Sequence, residues 1–390
     1  MIRRDIKNEL VGAYGEYPVV TIFGPRQSGK TTLVRMEFPD NQYWSLEDPD
    51  VRARAISDPR GFLAQADSGT ILDEIQRVPE LLSYIQGIVD RTNRRGQFIL
   101  TGSRQPELHS AVSQTLAGRT AVLTLLPFSL NELQQYKTKW DAFALIVNGT
   151  FPRVHEEKLK PERFYNSYLR TYVERDVRAL VNVKDLRRFE QFITLLAGRI
   201  GQVVNYTSLA NDTGVSSTTI KNWISALTAS YLIFELPPYF ENVSKRVVRS
   251  PKVYFTDTGL AAFLLGIVEP HHAARDPLRG SLYENLMVVE ILKHRLNQGK
   301  RPELYFYRDT HGNEVDLVVR NGRKLVPIEI KSAATFTDNF IRGIRSFRET
   351  AGSRVQPGLV LYNGDEKLTF RETTIINPLL HNDLPKLLST

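Results

Sequence analysis

The 390-residue sequence predicts an α/β protein of several domains. Three patterns support this prediction. A glycine-containing loop lies between a predicted strand and a predicted helix near the N-terminus, a helix-turn-helix pattern occupies the middle of the chain, and apolar strands follow an amphipathic helix near the C-terminus. Because the chain is too long for one ordinary domain, we expect two or three domains, each with its own core.

Composition narrows the classes of function. The sequence contains no cysteine, which excludes disulfides, zinc–thiolate sites and cysteine nucleophiles. No apolar run approaches the length that crosses a membrane, and the first residues lack a signal-peptide core, so we expect a cytoplasmic protein without membrane contact. The net charge of +8 favours a polyanionic partner such as DNA, although a merely basic enzyme would share it.

The loop at residues 24–32, Gly-Pro-Arg-Gln-Ser-Gly-Lys-Thr-Thr, matches the phosphate-binding pattern GxxxxGK[ST]. An apolar strand precedes it and a helix follows, which is the context that the pattern requires. Lys30 would reach the β- and γ-phosphates of a nucleoside triphosphate, and Thr31 would offer its hydroxyl to Mg²⁺. The predicted nucleotide-binding residues are Gly24, Pro25, Arg26, Gln27, Ser28, Gly29, Lys30, Thr31 and Thr32.

A second apolar strand ends in two adjacent carboxylates, Asp73 and Glu74. Asp73 would bind the magnesium ion, and Glu74 would lie beside the γ-phosphate, where it can deprotonate the attacking water. The pair therefore favours hydrolysis over phosphoryl transfer to a small molecule. A third strand ends near Thr101 and Ser103, which are placed to sense the γ-phosphate or to position that water. A strand followed by a serine helix cap explains these two residues equally well.

These runs, together with Leu-Asp-Glu-Ile-Gln-Arg-Val-Pro at residues 72–79, resemble the AAA-type P-loop ATPases of bacteria and archaea. The resemblance extends throughout the chain and implies an AAA-type core at residues 1–127, with ATP and Mg²⁺ as cofactors. By the same analogy Arg119 stands where AAA proteins place an arginine that reaches the nucleotide of a neighbouring subunit, which requires a homo-oligomer. A helix C-cap formed by Gly118 beside a solvated arginine is the alternative.

Residues 128–182 predict a helical lid or connector, and residues 183–268 predict a winged helix-turn-helix. Within the latter, a small residue at Ala210 lets two helices approach, and Gly214 supplies the positive φ of the turn. Polar residues on the second helix and cations at the hairpin tip are the candidate DNA contacts. They are Thr218, Thr219, Lys221, Asn222, Lys245, Arg246 and Arg249. Winged helices also contact proteins, so this alternative stays open.

The C-terminal segment, residues 281–390, carries a second group of acids after a predicted linker at residues 270–280. Asp316 and Glu329 fall on adjacent predicted strands and could hold a second Mg²⁺ or Mn²⁺, with Glu284 completing the ligand set from a helix. Lys331 lies two residues after Glu329, hence on the same face of the strand, where it could position the nucleophilic water.

This order resembles the PD-(D/E)xK nuclease superfamily, with Val315-Asp316 in place of the Pro-Asp pair. The resemblance implies a nuclease-like α/β domain, although such a fold can lose cleavage, and Glu-x-Lys is also common on a solvated strand. Two functions follow. One is an ATP-hydrolysing protein that binds DNA and cleaves it with Mg²⁺. The other is a nucleotide-switched regulator that binds DNA or protein through an inactive nuclease-like domain.

Overall fold

The computed structural model describes residues 2–103, 112, 114–172, 185–240, 250–381 and 383–389. The N-terminal part contains a five-stranded parallel sheet in the order β2-β3-β4-β1-β5. The strands are β1 Val19–Phe23, β2 Tyr43–Ser45, β3 Thr70–Asp73, β4 Phe98–Gly102 and β5 Thr120–Thr124. The helices are α1 Lys7–Glu16, α2 Lys30–Glu37, α3 Pro49–Ser57, α4 Pro59–Ala64 and α5 Leu81–Thr92, with a 3₁₀ turn at Ile75–Arg77.

Apolar residues fill both faces of this sheet. Val19 and Phe23 belong to one apolar cluster, whereas Val20 and Ile22 on the same strand belong to another, as the alternation of side chains along a strand requires. Strand β4 lies between β1 and β3. The carboxyl ends of parallel strands meet at one edge of a sheet, so Thr101 on β4 lies between the phosphate-binding loop and the two acids.

A helical segment and a helix-turn-helix follow the sheet. Gly214 between the two helices has φ of 67°, and the Ser216 side chain accepts a hydrogen bond from the Thr219 amide as an N-cap. An antiparallel hairpin, β6 Ile233–Leu236 with β7 Lys252–Phe255, comes next. The helices are α6 Leu130–Gln134, α7 Ala142–Asn148, α8 Pro152–Glu156, α9 Pro161–Tyr168, α10 Leu186–Ala197, α11 Tyr206–Thr213, α12 Ser217–Ala229 and α13 Thr258–Leu264.

The predicted linker at residues 270–280 is wrong. Helix α14 spans Pro270–Arg275, and helix α15, Arg279–Leu296, begins before the segment ends. Pro270 occupies the first turn of α14, where its fixed φ suits a helix and its missing amide hydrogen costs nothing. The prolines of this segment therefore mark a helix start and a break between two helices.

A six-stranded mixed sheet forms the C-terminal part, in the order β12-β13-β11-β10-β9-β8. Helix α15 packs on one face and helix α16, Arg342–Ala351, on the other. The remaining strands and helix are β8 Leu304–Arg308, β9 Glu314–Asn321, β10 Lys324–Lys331, β11 Gly358–Tyr362, β12 Leu368–Phe370, β13 Thr373–Ile376 and α17 Leu384–Ser389, with 3₁₀ turns at Asp338–Ile341 and Gly352–Arg354.

Most segments after residue 125 share one continuous apolar core, whereas the face of the C-terminal sheet under helix α16 has apolar clusters of its own. Phe151 of the helical segment at residues 128–172, which we name the lid, belongs to the same buried cluster as Trp223 of the helix-turn-helix and Tyr283 of helix α15. The N-terminal sheet is filled by separate clusters, and the division of the remaining segments into domains stays a prediction. Within the described residues, no helix is long and apolar enough to cross a lipid bilayer.

Arg4 ties the phosphate-binding loop to the lid. Its guanidinium donates to the backbone carbonyl oxygens of Ser28 and Leu126, both at 2.7 Å. Its Nε lies 3.0 Å from Oε1 of the buried Glu132 on helix α6. Since all these groups are buried, moving the loop relative to the lid would break hydrogen bonds in an environment without water to replace them.

A second buried charge pair joins the lid to helix α15. Glu290 accepts from the Leu130 amide at 3.0 Å, and Lys293 donates to the Phe128 carbonyl at 2.8 Å and to the Thr150 hydroxyl at 2.9 Å. Burial raises the pKa of Glu290 to about 7 against the opposing charge of Lys293, and burial lowers the pKa of Lys293. The lid and α15 are thus held by polar contacts as well as by the shared core.

Replacing Glu290 by glutamine should remove a pH dependence of stability. The folded pKa lies above the ordinary value of 4.5, so the folded state binds the proton more tightly, and this contribution is lost as pH rises from 4.5 through about 7. Between about pH 5 and pH 8 the unsubstituted chain should therefore lose up to about 3 kcal/mol of unfolding free energy that Glu290→Gln does not lose. Denaturant unfolding at both pH values measures this, with exposed Glu162→Gln as the control. Parallel pH profiles for Glu290→Gln and the unsubstituted chain would contradict it.

Candidate functional site

The phosphate-binding loop runs from the end of β1 to the start of α2, with the first amides of α2 at its end. A Cβ atom on Gly24 would lie 2.1 Å from the Leu125 carbonyl oxygen, so only glycine allows this close approach. Gly29 has φ of 92°, and Gln27 also adopts a left-handed conformation, with φ of 63°. The Ser28 hydroxyl is buried and has no hydrogen-bond partner within the part of the chain that the structure describes. An orphaned donor beside helix amides fits a phosphate group.

Lys30 lies folded along this loop. Its ammonium donates to the carbonyl oxygens of Gly24 at 3.1 Å and Pro25 at 2.8 Å. Burial lowers the pKa of Lys30, while the carboxylates of Glu74 and Asp73 oppose that shift. Phosphate oxygens would be stronger acceptors than the two carbonyl groups, so the side chain is placed to exchange one set of partners for the other.

Three hydroxyl groups surround the carboxylate of Asp73. Thr31 donates to Oδ2 at 2.9 Å, Tyr43 donates to the same oxygen at 2.6 Å, and Thr101 donates to Oδ1. A carboxylate with an adjacent threonine hydroxyl fits Mg²⁺ held with several waters. Burial and the Asp73 charge raise the pKa of Tyr43, so its hydroxyl keeps its proton. Tyr43 was missed because its strand is short and carries no motif.

Glu74 adopts a left-handed backbone conformation, with φ of 58° and ψ of 49°. Non-glycine residues pay about 1–3 kcal/mol for such conformations, which cluster at functional sites. Gln76 donates to Oε2 of Glu74 and to the Ser103 hydroxyl, the latter at 3.0 Å. Burial opposes ionisation of Glu74, but the Lys30 charge and the hydrogen bond from Gln76 keep its pKa below the usual value. Gln76 belongs to the run at residues 72–79, but the sequence alone assigned it no role.

Arg119 is paired within its own subunit. Its Nη2 donates to Oδ2 of Asp90 at 3.0 Å and its Nη1 to the Ala117 carbonyl at 3.0 Å. Gly118 has φ of 73°, as a helix C-cap requires. These contacts match the C-cap alternative more closely than a role across a subunit interface, which stays a prediction.

Helix α12 buries one side and exposes the other. Ile220 and Trp223 are buried, whereas Thr218, Lys221 and Asn222 are exposed. Thr219 is half-buried, and its amide serves the N-cap of the helix. The predicted contacts at the hairpin tip, Lys245, Arg246 and Arg249, lie outside the described residues.

The predicted C-terminal residues come together at the junction of strands β9 and β10 with helix α15. The Lys331 ammonium lies 2.9 Å from Oδ2 of Asp316 and 2.6 Å from Oε2 of Glu329. The amide of Ile330 also donates to Asp316, at 2.8 Å. Glu284 reaches the same group from α15, where burial and the nearby Asp316 charge raise its pKa against the opposing charge of Lys252.

A lysine that sequence reasoning missed completes this group. Lys252 of β7 lies 2.6 Å from Oε1 of Glu314 and 3.3 Å from Oε1 of Glu284. Tyr254, two residues further along the same strand, donates to Glu284 at 2.5 Å. We call Lys252, Glu284, Glu314, Asp316, Glu329 and Lys331 the carboxylate cluster.

The carboxylate cluster differs from the predicted metal ligand set. Among the described residues, no group of three or more His, Asp or Glu side chains is arranged to hold a metal ion. Burial and the Asp316 charge raise the pKa of Glu329 well above its usual range, while Lys331 and Lys252 hold the pKa of Asp316 below its own despite burial. Glu284, Asp316 and Glu329 therefore converge, but on lysine ammonium groups, and the residues as placed do not fit a divalent cation.

Comparison with protein families divides the chain into three parts. Residues 16–134 match a family model described as AAA domain. Residues 139–271 and 279–381 match two models described as Domain of unknown function, DUF8612 and DUF4143. The N-terminal part is therefore an AAA-type P-loop domain.

Among solved structures, the Walker-type ATPase PABY2304 of Pyrococcus abyssi is 14% identical, with a TM-score of 0.42 over 68% of this chain and 96% of that one. A RuvB variant of Thermotoga maritima is 20% identical, with a TM-score of 0.32 over 60% and 90% of the two chains. TM-scores in this range do not establish a shared function.

Curated relatives match nearly the whole chain. An uncharacterized protein of Haemophilus influenzae is 23% identical over 364 residues, which cover 87% of this chain and 84% of the relative. The uncharacterized protein Rv2008c of Mycobacterium tuberculosis is 30% identical over 381 residues, which cover 96% of this chain and 83% of the relative. The chain therefore belongs to the family of Rv2008c, with an AAA domain at its N-terminal end.

Proposed function

We propose that the chain binds ATP with Mg²⁺ at the phosphate-binding loop and hydrolyses it. The observation that carries this proposal is the convergence of Lys30, Thr31 and Asp73 with Glu74, whose carboxylate is oriented by neighbouring polar side chains. A binding site without hydrolysis would need no oriented carboxylate next to Asp73.

The side chains divide the work of hydrolysis. Bound magnesium would neutralise phosphate charge, and Thr31 and Asp73 would hold it. Lys30 would leave the loop carbonyls for the phosphate oxygens. Glu74 would accept the proton of the attacking water at its carboxylate, which its lowered pKa keeps ionised and which Gln76 holds in place.

DNA contact through helix α12 is a second proposed activity. It is supported by the exposed polar face formed by Thr218, Lys221 and Asn222, opposite a buried apolar face. Short polar side chains and a cation on an exposed second helix suit a DNA groove and its phosphates. The net charge of +8 favours the same partner.

For the C-terminal part we propose a nuclease-like domain that does not cut. Its support is the juxtaposition of Glu284, Asp316 and Glu329 with lysine ammonium groups where a divalent cation would have to lie. Of the two functions considered for this domain, the geometry favours a nucleotide-switched binding protein over metal-dependent cleavage.

Replacement of Glu74 should separate binding from hydrolysis. Glu74→Gln keeps the size of the side chain but removes its base, so we expect retained ATP binding and hydrolysis reduced about 100-fold or more. Lys30→Ala should lose binding as well. Phosphate release and fluorescent-nucleotide binding measure both, with the exposed Glu80→Gln as a matched control that behaves as the unsubstituted chain. Unchanged hydrolysis in Glu74→Gln would sink the assignment of the base.

Replacement of Lys221 should weaken DNA binding through its charge. Lys221→Glu places a carboxylate on the exposed face of α12, so we expect at least about a 10-fold loss of affinity and a shallower dependence on salt. Fluorescence anisotropy with a labelled duplex between low and moderate salt measures both. Lys139→Glu makes the same charge change on an exposed loop of the lid and serves as the control. Equal losses in the two variants would mean that only net charge matters.

Plasmid nicking tests the C-terminal proposal. The unsubstituted chain should leave supercoiled plasmid intact in Mg²⁺ or Mn²⁺, because lysine groups occupy the space among the carboxylates. Glu329→Ala and Lys331→Ala serve as controls for a contaminating nuclease, because a contaminant would nick the plasmid equally in all three preparations. Nicking by the unsubstituted chain that both variants lose would contradict the proposal and establish cleavage.

A further inference from the structure

Lys252 belongs to the hairpin that follows the helix-turn-helix, yet its ammonium lies inside the carboxylate cluster of the C-terminal sheet. The side chain is only 4% exposed. It contacts Glu314 of β9 at 2.6 Å and Glu284 of α15 at 3.3 Å. The Lys252 ammonium is thus surrounded by carboxylates from two different elements, in the way that carboxylate ligands surround a bound metal cation.

The rest of the hairpin holds Lys252 in this position. Tyr254 projects from the same side of β7, two residues away, and donates to Glu284. The residues that follow β6 also bond to strand β8. The Tyr239 amide donates to the Phe306 carbonyl at 2.6 Å, and the Phe306 amide donates to the Pro237 carbonyl at 3.0 Å. The hairpin is therefore joined to the edge of the C-terminal sheet by main-chain hydrogen bonds.

The far side of the cluster is closed as well. Helix α16 passes so close that a Cβ atom on Gly343 would lie 2.2 Å from Oε1 of Glu329 and 2.0 Å from the Glu314 carbonyl oxygen. Lys331 contacts both Asp316 and Glu329 on that side. Each pair of carboxylates in the cluster therefore has its own lysine. Lys252 contacts one pair and Lys331 contacts the other.

We propose that Lys252 is a resident cation that closes the carboxylate cluster to divalent metal ions, supplied by the hairpin rather than by the C-terminal sheet itself. The contact is autoinhibitory, because the cluster becomes a metal site only when the Lys252 charge leaves it. This proposal depends on the proposed function in one respect only, which is that the C-terminal domain is nuclease-like.

Removal of the ammonium should convert the cluster into a metal site. Lys252→Met keeps most of the apolar stem but removes the ammonium from Glu284 and Glu314. Within the described ranges of the chain, only Glu314 of these two retains a second cation, Arg308 at 3.8 Å. The full-length variant should therefore melt at a lower temperature in chelator. Saturating Mn²⁺ should then restore roughly 3–6 °C of its Tm, whereas the Tm of the unsubstituted chain should stay nearly constant. Lys252→Met should also bind one more Mn²⁺ per nucleotide-free chain, measured from free Mn²⁺ by electron paramagnetic resonance.

A double substitution provides the matched control. Lys252→Met with Glu284→Gln removes one positive and one negative charge together, so both the response of the Tm to Mn²⁺ and the additional bound ion should disappear. A Tm lowered equally by Lys252→Met with and without Mn²⁺, or no additional bound ion in the folded variant, would overturn the proposal.

The unsubstituted chain decides the matter even where Lys252→Met fails to fold. The unsubstituted chain and Glu329→Gln should bind the same number of Mn²⁺ ions without nucleotide, because the cluster holds none in either. A larger number in the unsubstituted chain would mean that the cluster binds metal beside Lys252 and would overturn the proposal. Mn²⁺ stoichiometry thus tests Lys252 independently of ATP hydrolysis and plasmid nicking, which test the proposed function.

Discussion

The burial of helix α15, Arg279–Leu296, constrains the whole C-terminal two thirds of the molecule. The helix packs on the C-terminal sheet and against the lid and hairpin, so apolar residues occupy most of its circumference. Its charged residues Glu290, Lys293 and Arg295 are buried and therefore require partners from the surrounding elements. Each partner fixes the position of one neighbouring segment.

The partners lie at two levels along this helix. Near its start, Glu284 meets Lys252 and Tyr254 of the hairpin. Two turns later, Glu290 and Lys293 meet the lid, whose own start is tied to the phosphate-binding loop by Arg4. A rigid helix thus contacts the hairpin at one end and the segment that flanks the nucleotide site at the other. A displacement of this segment would either carry α15 with it or break buried polar contacts, which cost more than exposed ones.

Sequence reasoning succeeded where the determinants are local. The strand, loop and helix around Lys30 follow from a few consecutive residues, and the family match confirms an AAA-type domain there. The common face of Glu329 and Lys331 follows from strand periodicity alone. The linker prediction failed because Pro270 reads as a breaker, although a proline in the first helical turn starts a helix equally well. Tyr43 and Lys252 were missed because each meets its carboxylate through tertiary packing, with no spacing in the sequence to reveal it.

Comparison of two buried lysines shows why a motif does not define a site by itself. Lys30 and Lys252 are both almost fully buried beside acidic residues. Among the described residues, Lys30 donates to two main-chain carbonyl oxygens, which are neutral partners that it can exchange for the phosphate oxygens of a ligand. Lys252 instead contacts the carboxylates of Glu284 and Glu314, and a departing ammonium would leave the largely buried Glu284 without that counter-charge. The first lysine is therefore placed for a ligand, whereas the second already serves as the counter-ion, and that difference in partners separates the nucleotide site from the carboxylate cluster.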